Sequence, residues 1–129
     1  MDVVEQVAVL SPNEKAGLDP ERLEGLYERL GAQEGEDVLC RAMEELAFRL
    51  GQADRLYEQA DFAEMRQCAR ALGAIADQIG MSALNRISGD VVQCIDDGDP
   101  VGLAATLARM ARVGERSLYA VWDLQDITV

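Results

Sequence analysis

The chain has 129 residues, enough for one domain that buries roughly two-thirds of its unfolded surface, with no second domain required. Hydrophobic residues make up 49% and charged residues 28%, a globular composition; with two Phe, three Tyr and one Trp, the core must be mainly aliphatic. Twenty-four acids against twelve bases leave a formal net charge of −12, which opposes binding to nucleic acid and to anionic membrane surfaces.

The amino terminus, MDVVEQVAVLSP, carries Asp2 and Glu5 where a secretory signal would be basic. No stretch approaches the ~20 apolar residues of a membrane span, so a soluble cytoplasmic protein is expected. Residues 1–17 read as an N-terminal arm, with Val3 to Leu10 the one candidate for extended chain, and residues 18–129 as the folded domain. Cys40, Cys68 and Cys94 are widely spaced, odd in number, and embedded in apolar helical runs without a Cys-x-x-Cys pair. Reduced core cysteines are expected.

In chain order, Asp19-Pro20 is a helix start: the aspartate can accept from orphan amides, and proline at the first helical position loses no bond. Leu23, Leu26, Tyr27 and Leu30 follow at helical spacing, and Gly31 is placed to stop the helix. From about Glu36 to Ala60, Leu39, Met43, Leu46, Leu50, Ala53 and Tyr57 trace one apolar face, with Gly51 a tolerated weak point costing about 1 kcal/mol. Asp61 with Glu64 forms a capping-box-like pair ahead of Phe62, Met65, Ala69, Leu72, Ala76 and Ile79, the cleanest buried stripe in the chain.

Gly80 is the natural C-terminal cap of that helix and Ser82 the natural N-cap of the next, which carries Leu84, Ile87, Val91 and Cys94 or Ile95. Gly98 and Asp99-Pro100 repeat the stop and start signals. The last helix runs to about Asp123 through Leu103, Leu107, Met110 and Val121, with Gly102 and Gly114 as weak points. Tyr119 and Trp122 are expected to cap the core as an aromatic cluster. Short connections between long amphipathic helices favour antiparallel neighbours, hence an all-α, up-and-down antiparallel four-helix bundle with an additional short N-terminal helix.

The register from Asp61 to Asp99 resembles that of histidine phosphotransfer (HPt) domains. The likeness is carried by Asp61-Phe62, Ala69, Leu72, Ile79-Gly80, Leu84, Ile87 and Gly98-Asp99, and LDPERLEGLYERLG from Leu18 to Gly31 resembles the family's opening helix. It implies bacterial-type two-component phosphorelay signalling, with a receiver domain or a sensor histidine kinase as partner. The departures fall together at the reactive site. Arg70 stands where the family keeps its phosphorylated histidine, Gly73 replaces the usual lysine and Ala74 the usual glycine, and the chain contains no histidine at all. A guanidinium stays protonated and offers no nucleophilic lone pair, so phosphotransfer through Arg70 is not expected.

Arg66, Arg70, Gly73 and Asp77 are spaced i, i+4, i+7 and i+11 and form one row, with Gln67 and Ala74 alongside. The plain reading is a solvated helix face on which Arg70 pairs with Asp77 or with acids of a neighbouring helix. The functional reading, implied by the resemblance, is a partner-binding surface made of Arg66, Gln67, Arg70, Gly73, Ala74 and Asp77, with Arg70 reaching toward the acidic pocket of a receiver domain.

Other sites read blandly. Glu21, Glu24 and Glu28 form a helical row and Glu44-Glu45 sits on another helix, but bundle di-metal sites use Glu-x-x-His pairs, so neither metal nor cofactor is expected. Asp96, Asp97 and Asp99 around Gly98 do not match a calcium loop and read as a polar turn. No nucleophile has an imidazole base and Lys15 is the sole lysine, so a non-enzymatic binding protein is expected. The alternative is a helical assembly module, a homodimer burying spare apolar surface.

Overall fold

The computed structural model describes residues 17–128, so the expected arm lies outside the described residues but for Gly17. Five α-helices follow one another: α1 Pro20–Leu30, α2 Ala32–Glu58, α3 Phe62–Gln78, α4 Ser82–Asp97 and α5 Pro100–Thr128. Among the described residues the sole β pairing is an isolated bridge between Leu18 and Met81. No helix among them is long and apolar enough to cross a membrane.

The helix ends are built from one repeated device. At the close of α3 the Gly80 N–H donates to the Asp77 carbonyl at 3.3 Å and the Met81 N–H to the Ala76 carbonyl at 2.8 Å, with Gly80 at φ 80. This is the paired-bond arrangement that satisfies two orphan carbonyls through a left-handed residue. Gly98 (φ 63) closes α4 in the same way, its N–H bonding Ile95 at 3.1 Å and that of Asp99 bonding Cys94 at 3.0 Å. At the end of α2 the left-handed position is held by Ala60 (φ 54), with bonds to Tyr57 and Leu56 at 3.0 Å each. The next residue then opens the following helix: Asp61 Oδ1 accepts from the Glu64 N–H at 3.2 Å, and Asp99 Oδ1 from the Gly102 N–H at 2.9 Å.

Two boundaries differ from expectation. Helix α2 begins at Ala32, not near Glu36, because Gly31 at φ 85 ends α1 and starts α2 as a single residue. Gly35, in the first turn of α2, lies buried against the Tyr27 ring, where a methyl group would come within 2.9 Å of Cδ1. Ser82 is not the N-cap of α4. Met81 takes that position with its side chain fully buried, and the capping acceptor comes from elsewhere: the Gly17 carbonyl accepts the Ala83 N–H at 3.2 Å and the Ser82 hydroxyl at 2.8 Å. With the Asp19 N–H bonded to the Gly80 carbonyl at 2.6 Å, the segment Gly17–Asp19 seals the α3–α4 turn.

Each helix packs on its neighbour in the chain, and α2 also meets α5. The core collects Leu23 and Leu26, Leu39, Met43 and Leu46, Met65, Leu72 and Ala76, Leu84 and Val91, and Leu103, Leu107, Met110 and Val121, all on the expected faces. Several expected core residues are not there. Tyr57 and Phe62 are 37% and 43% exposed. They flank the Ala60 turn and border an open apolar cleft of about 310 Å³ with Ile95 and Leu103. Cys40 is exposed and Cys94 half-buried, leaving Cys68 as the buried cysteine. Tyr119 and Trp122 do not cap the core: they form an edge-to-face pair at 6.1 Å, with Trp122 56% exposed.

Ala60 and Gly80 make opposite tests of the repeated helix end. A left-handed conformation costs an L-residue about 1–2 kcal/mol, so Ala60→Gly is expected to raise stability by about 0.5–1 kcal/mol. Gly80→Ala should lower it by about 1–2 kcal/mol, since the new methyl would also lie 2.8 Å from the Asp19 carbonyl oxygen. Urea midpoints at unchanged m-value measure both changes.

Candidate functional site

The six residues of the expected binding surface all lie on α3, yet the fold treats them differently. Arg66 is engaged by α4: its Nε donates to Asp96 Oδ1 at 2.7 Å and its Nη2 to Oδ2 at 3.1 Å. That hydrogen bonding holds the Asp96 carboxyl below the usual aspartate range; desolvation works against it, and the charges of Arg66 and Arg70 add to it. Arg66 is raised in turn, chiefly by its bond to Asp96. Asp77 is engaged by α1, accepting from Arg22 Nη2 at 2.7 Å.

Gly73 is buried at the floor of the cleft between α3 and α4. A methyl there would stand 3.2 Å from both Asn85 Oδ1 and Ser88 Cβ, so α3 and α4 approach closely at this point. Gln67, Arg70 and Ala74 are exposed. Arg70 makes no ion pair among the described residues, and Asp77, its possible partner on the same row, is held by Arg22.

The close approach leaves a groove of about 270 Å³ between α3 and α4, lined by Arg70, Gly73 and Ala74 on one side and Asn85, Ser88 and Gly89 on the other. The groove is open because its walls are small residues, and Arg70 is its one charged lining residue. Ser88 brings no reactive hydroxyl: buried, it donates to the Leu84 carbonyl at 2.8 Å and lies 3.7 Å from Met110 Sδ. Cys68, on the same helix but buried, donates to the Arg49 carbonyl at 3.4 Å and to Gln52 Oε1 at 3.5 Å, and burial pushes its thiol up. A raised thiol on a buried sulfur is a poor nucleophile. Among the described residues no group of three or more His, Cys, Asp or Glu side chains could hold a metal ion.

Sequence reasoning missed Arg22 and Asp96 as the partners that hold Asp77 and Arg66, and Asn85 and Gly89 as the opposite wall of the groove. The ion-pair partners lie 55 and 30 residues away in the chain, so helical spacing carries no signal for them. Comparison with family models, curated proteins and solved structures found no match.

The Arg66–Asp96 pair gives a pH dependence with a definite sign. Because the folded-state pKa of Asp96 is depressed, the pair's contribution is fully present above the ordinary aspartate value and is lost as pH falls through the lower, folded value. Urea midpoints of the wild type and Asp96→Asn should therefore differ at neutral pH and draw together as the pH is taken below the ordinary aspartate range.

Proposed function

We propose that this chain is an HPt-like, non-catalytic signalling protein that binds a receiver domain, or the sensor histidine kinase that serves one, without carrying phosphate. On this reading α2 to α5 form the up-and-down antiparallel four-helix bundle and α1 is the additional short helix. The packing of α5 against both α4 and α2, and of α1 against α2, supports that arrangement.

One observation carries the functional reading. Arg70 stands exposed midway along α3, at the edge of a groove walled by small side chains, and makes no ion pair among the described residues while the charged groups on either side of it are held by other helices. Arg66–Asp96 and Arg22–Asp77 restrain the face from which Arg70 projects, so less side-chain order must be created when a partner arrives. A planar guanidinium that stays charged matches a pair of carboxylates, such as the acidic pocket of a receiver. A phosphorylated imidazole would deliver a phosphoryl group to that pocket; Arg70 delivers a fixed positive charge, which makes the complex independent of phosphorylation.

The test is binding, since no label on this chain is expected in a phosphorylation assay. Against receivers from the source cells that bind the wild type, Arg70→Glu should weaken affinity by about tenfold or more, as expected when a charged contact is reversed at an interface. Unchanged affinity of Arg70→Glu for every such receiver would refute the proposed contact.

A further inference from the structure

The outward face of α5 carries a feature that the α3–α4 groove does not use. Arg109, Arg112 and Arg116 are all exposed and stand at i, i+3 and i+7, one row about 10 Å long. Within Arg109–Arg116 the sole acid is Glu115, and none of the three arginines makes an ion pair among the described residues. In a chain of net charge −12, three unengaged cations on one helix face are the unusual arrangement. Ala105 and Ala108 beside them are exposed and small, which keeps that part of the face low.

Helix α1 presents the complementary row. Glu21, Glu24 and Glu28 repeat the same i, i+3, i+7 spacing; Glu21 and Glu28 are exposed, Glu24 is partly so, and none is ion-paired among the described residues. Gly25 lies within this row with open space beyond its Cα, which lowers the relief of the face. Laid parallel, the two rows place three carboxylates opposite three guanidiniums in register, because both advance by three and then four residues.

We infer that the arginine row of α5 is a docking surface for α1 of a second copy of this chain. Each subunit offers one basic and one acidic row on different helices, so association either closes as a two-fold pair that makes the contact twice or runs head to tail. Each exposed pair contributes little alone, and the interface is held by three pairs acting together. Such an interface is salt-sensitive, since the Debye length falls from roughly 20 Å to about 6 Å between dilute and concentrated buffer. A nucleic acid is the less suitable occupant because its charge is continuous and meets the whole acidic surface, whereas the second copy offers three carboxylates at the spacing of the arginines. The inference does not depend on the α3–α4 groove or on Arg70.

Sedimentation velocity of the full chain tests it. The wild type should associate at about 20 mM NaCl and dissociate at about 300 mM, its apparent Kd weakening at least tenfold over that range. Arg109→Glu/Arg112→Glu/Arg116→Glu and Glu21→Arg/Glu24→Arg/Glu28→Arg should each be monomeric alone, and their equimolar mixture should associate again, because one then carries two acidic rows and the other two basic rows. The single exchanges Arg112→Glu and Glu24→Arg repeat the design with a smaller perturbation, and far-UV circular dichroism checks that each variant is helical. A wild type that stays monomeric at low salt, low-salt association that survives in both variants, or a mixture that stays monomeric overturns the inference. So does a DNA duplex bound by a monomeric wild type and not by the arginine variant, which would assign the row to nucleic acid.

Discussion

The close approach of α3 and α4 at Gly73 sets the geometry on which the candidate site rests. A single methyl group at that position would already stand 3.2 Å from the side chains of Asn85 and Ser88, so the spacing of the two helices is set by the absence of a side chain. A glycine inside a helix costs about 1 kcal/mol relative to alanine, and here packing offsets that cost. The small separation lets Arg66 reach Asp96 with two bonds, allows Leu72 and Leu84 to be fully buried, and leaves between the helices a groove that larger side chains would fill. Core packing and the open surface at Arg70 therefore share one cause.

A second constraint acts at the end of that helix pair. The backbone of Gly17, Leu18 and Asp19 closes the α3–α4 turn, supplying an acceptor that Met81 cannot provide once its side chain is committed to the core. Gly17, at φ 74, can sit there because any side chain would collide with Ala83. Arg22 then reaches Asp77 from the first turn of α1. The opening of the described chain is thus fastened to residues more than fifty positions away, and α1 braces the end of the helix that presents Arg70.

Much of this was legible locally. Asp19, Asp61 and Asp99 cap the helices their positions suggested, Gly80 and Gly98 close theirs in the left-handed conformation, and the apolar stripe of α3 from Met65 to Ile79 is buried throughout. These features depend on neighbours within one or two helical turns. What was not legible depends on where another helix lies. Phe62 continues the α3 stripe in period but borders an open cleft beside Ile95 and Leu103, so periodicity could not show its exposure. That α4 packs closely against Gly73 has no signal in the spacing of α3. Asp77 reads as a partner for Arg70 until α1 supplies Arg22. At the candidate site, sequence placed Arg70 on the exposed face but could not show which of its row-mates other helices had already claimed.

The edge-to-face pair of Tyr119 and Trp122 has a consequence for how this molecule can be observed. Trp122 is the chain's single tryptophan, and more than half of it faces solvent, whereas the tightly packed interior is made of leucine, methionine, alanine, isoleucine and valine. The interior is therefore optically silent and the indole looks outward. Its emission in the folded protein should already resemble that of a hydrated indole, so loss of the core changes the signal little, while anything that covers the later turns of α5 shifts it to shorter wavelength. In this chain intrinsic fluorescence is a monitor of company kept at the surface, and folding must be followed through the peptide backbone.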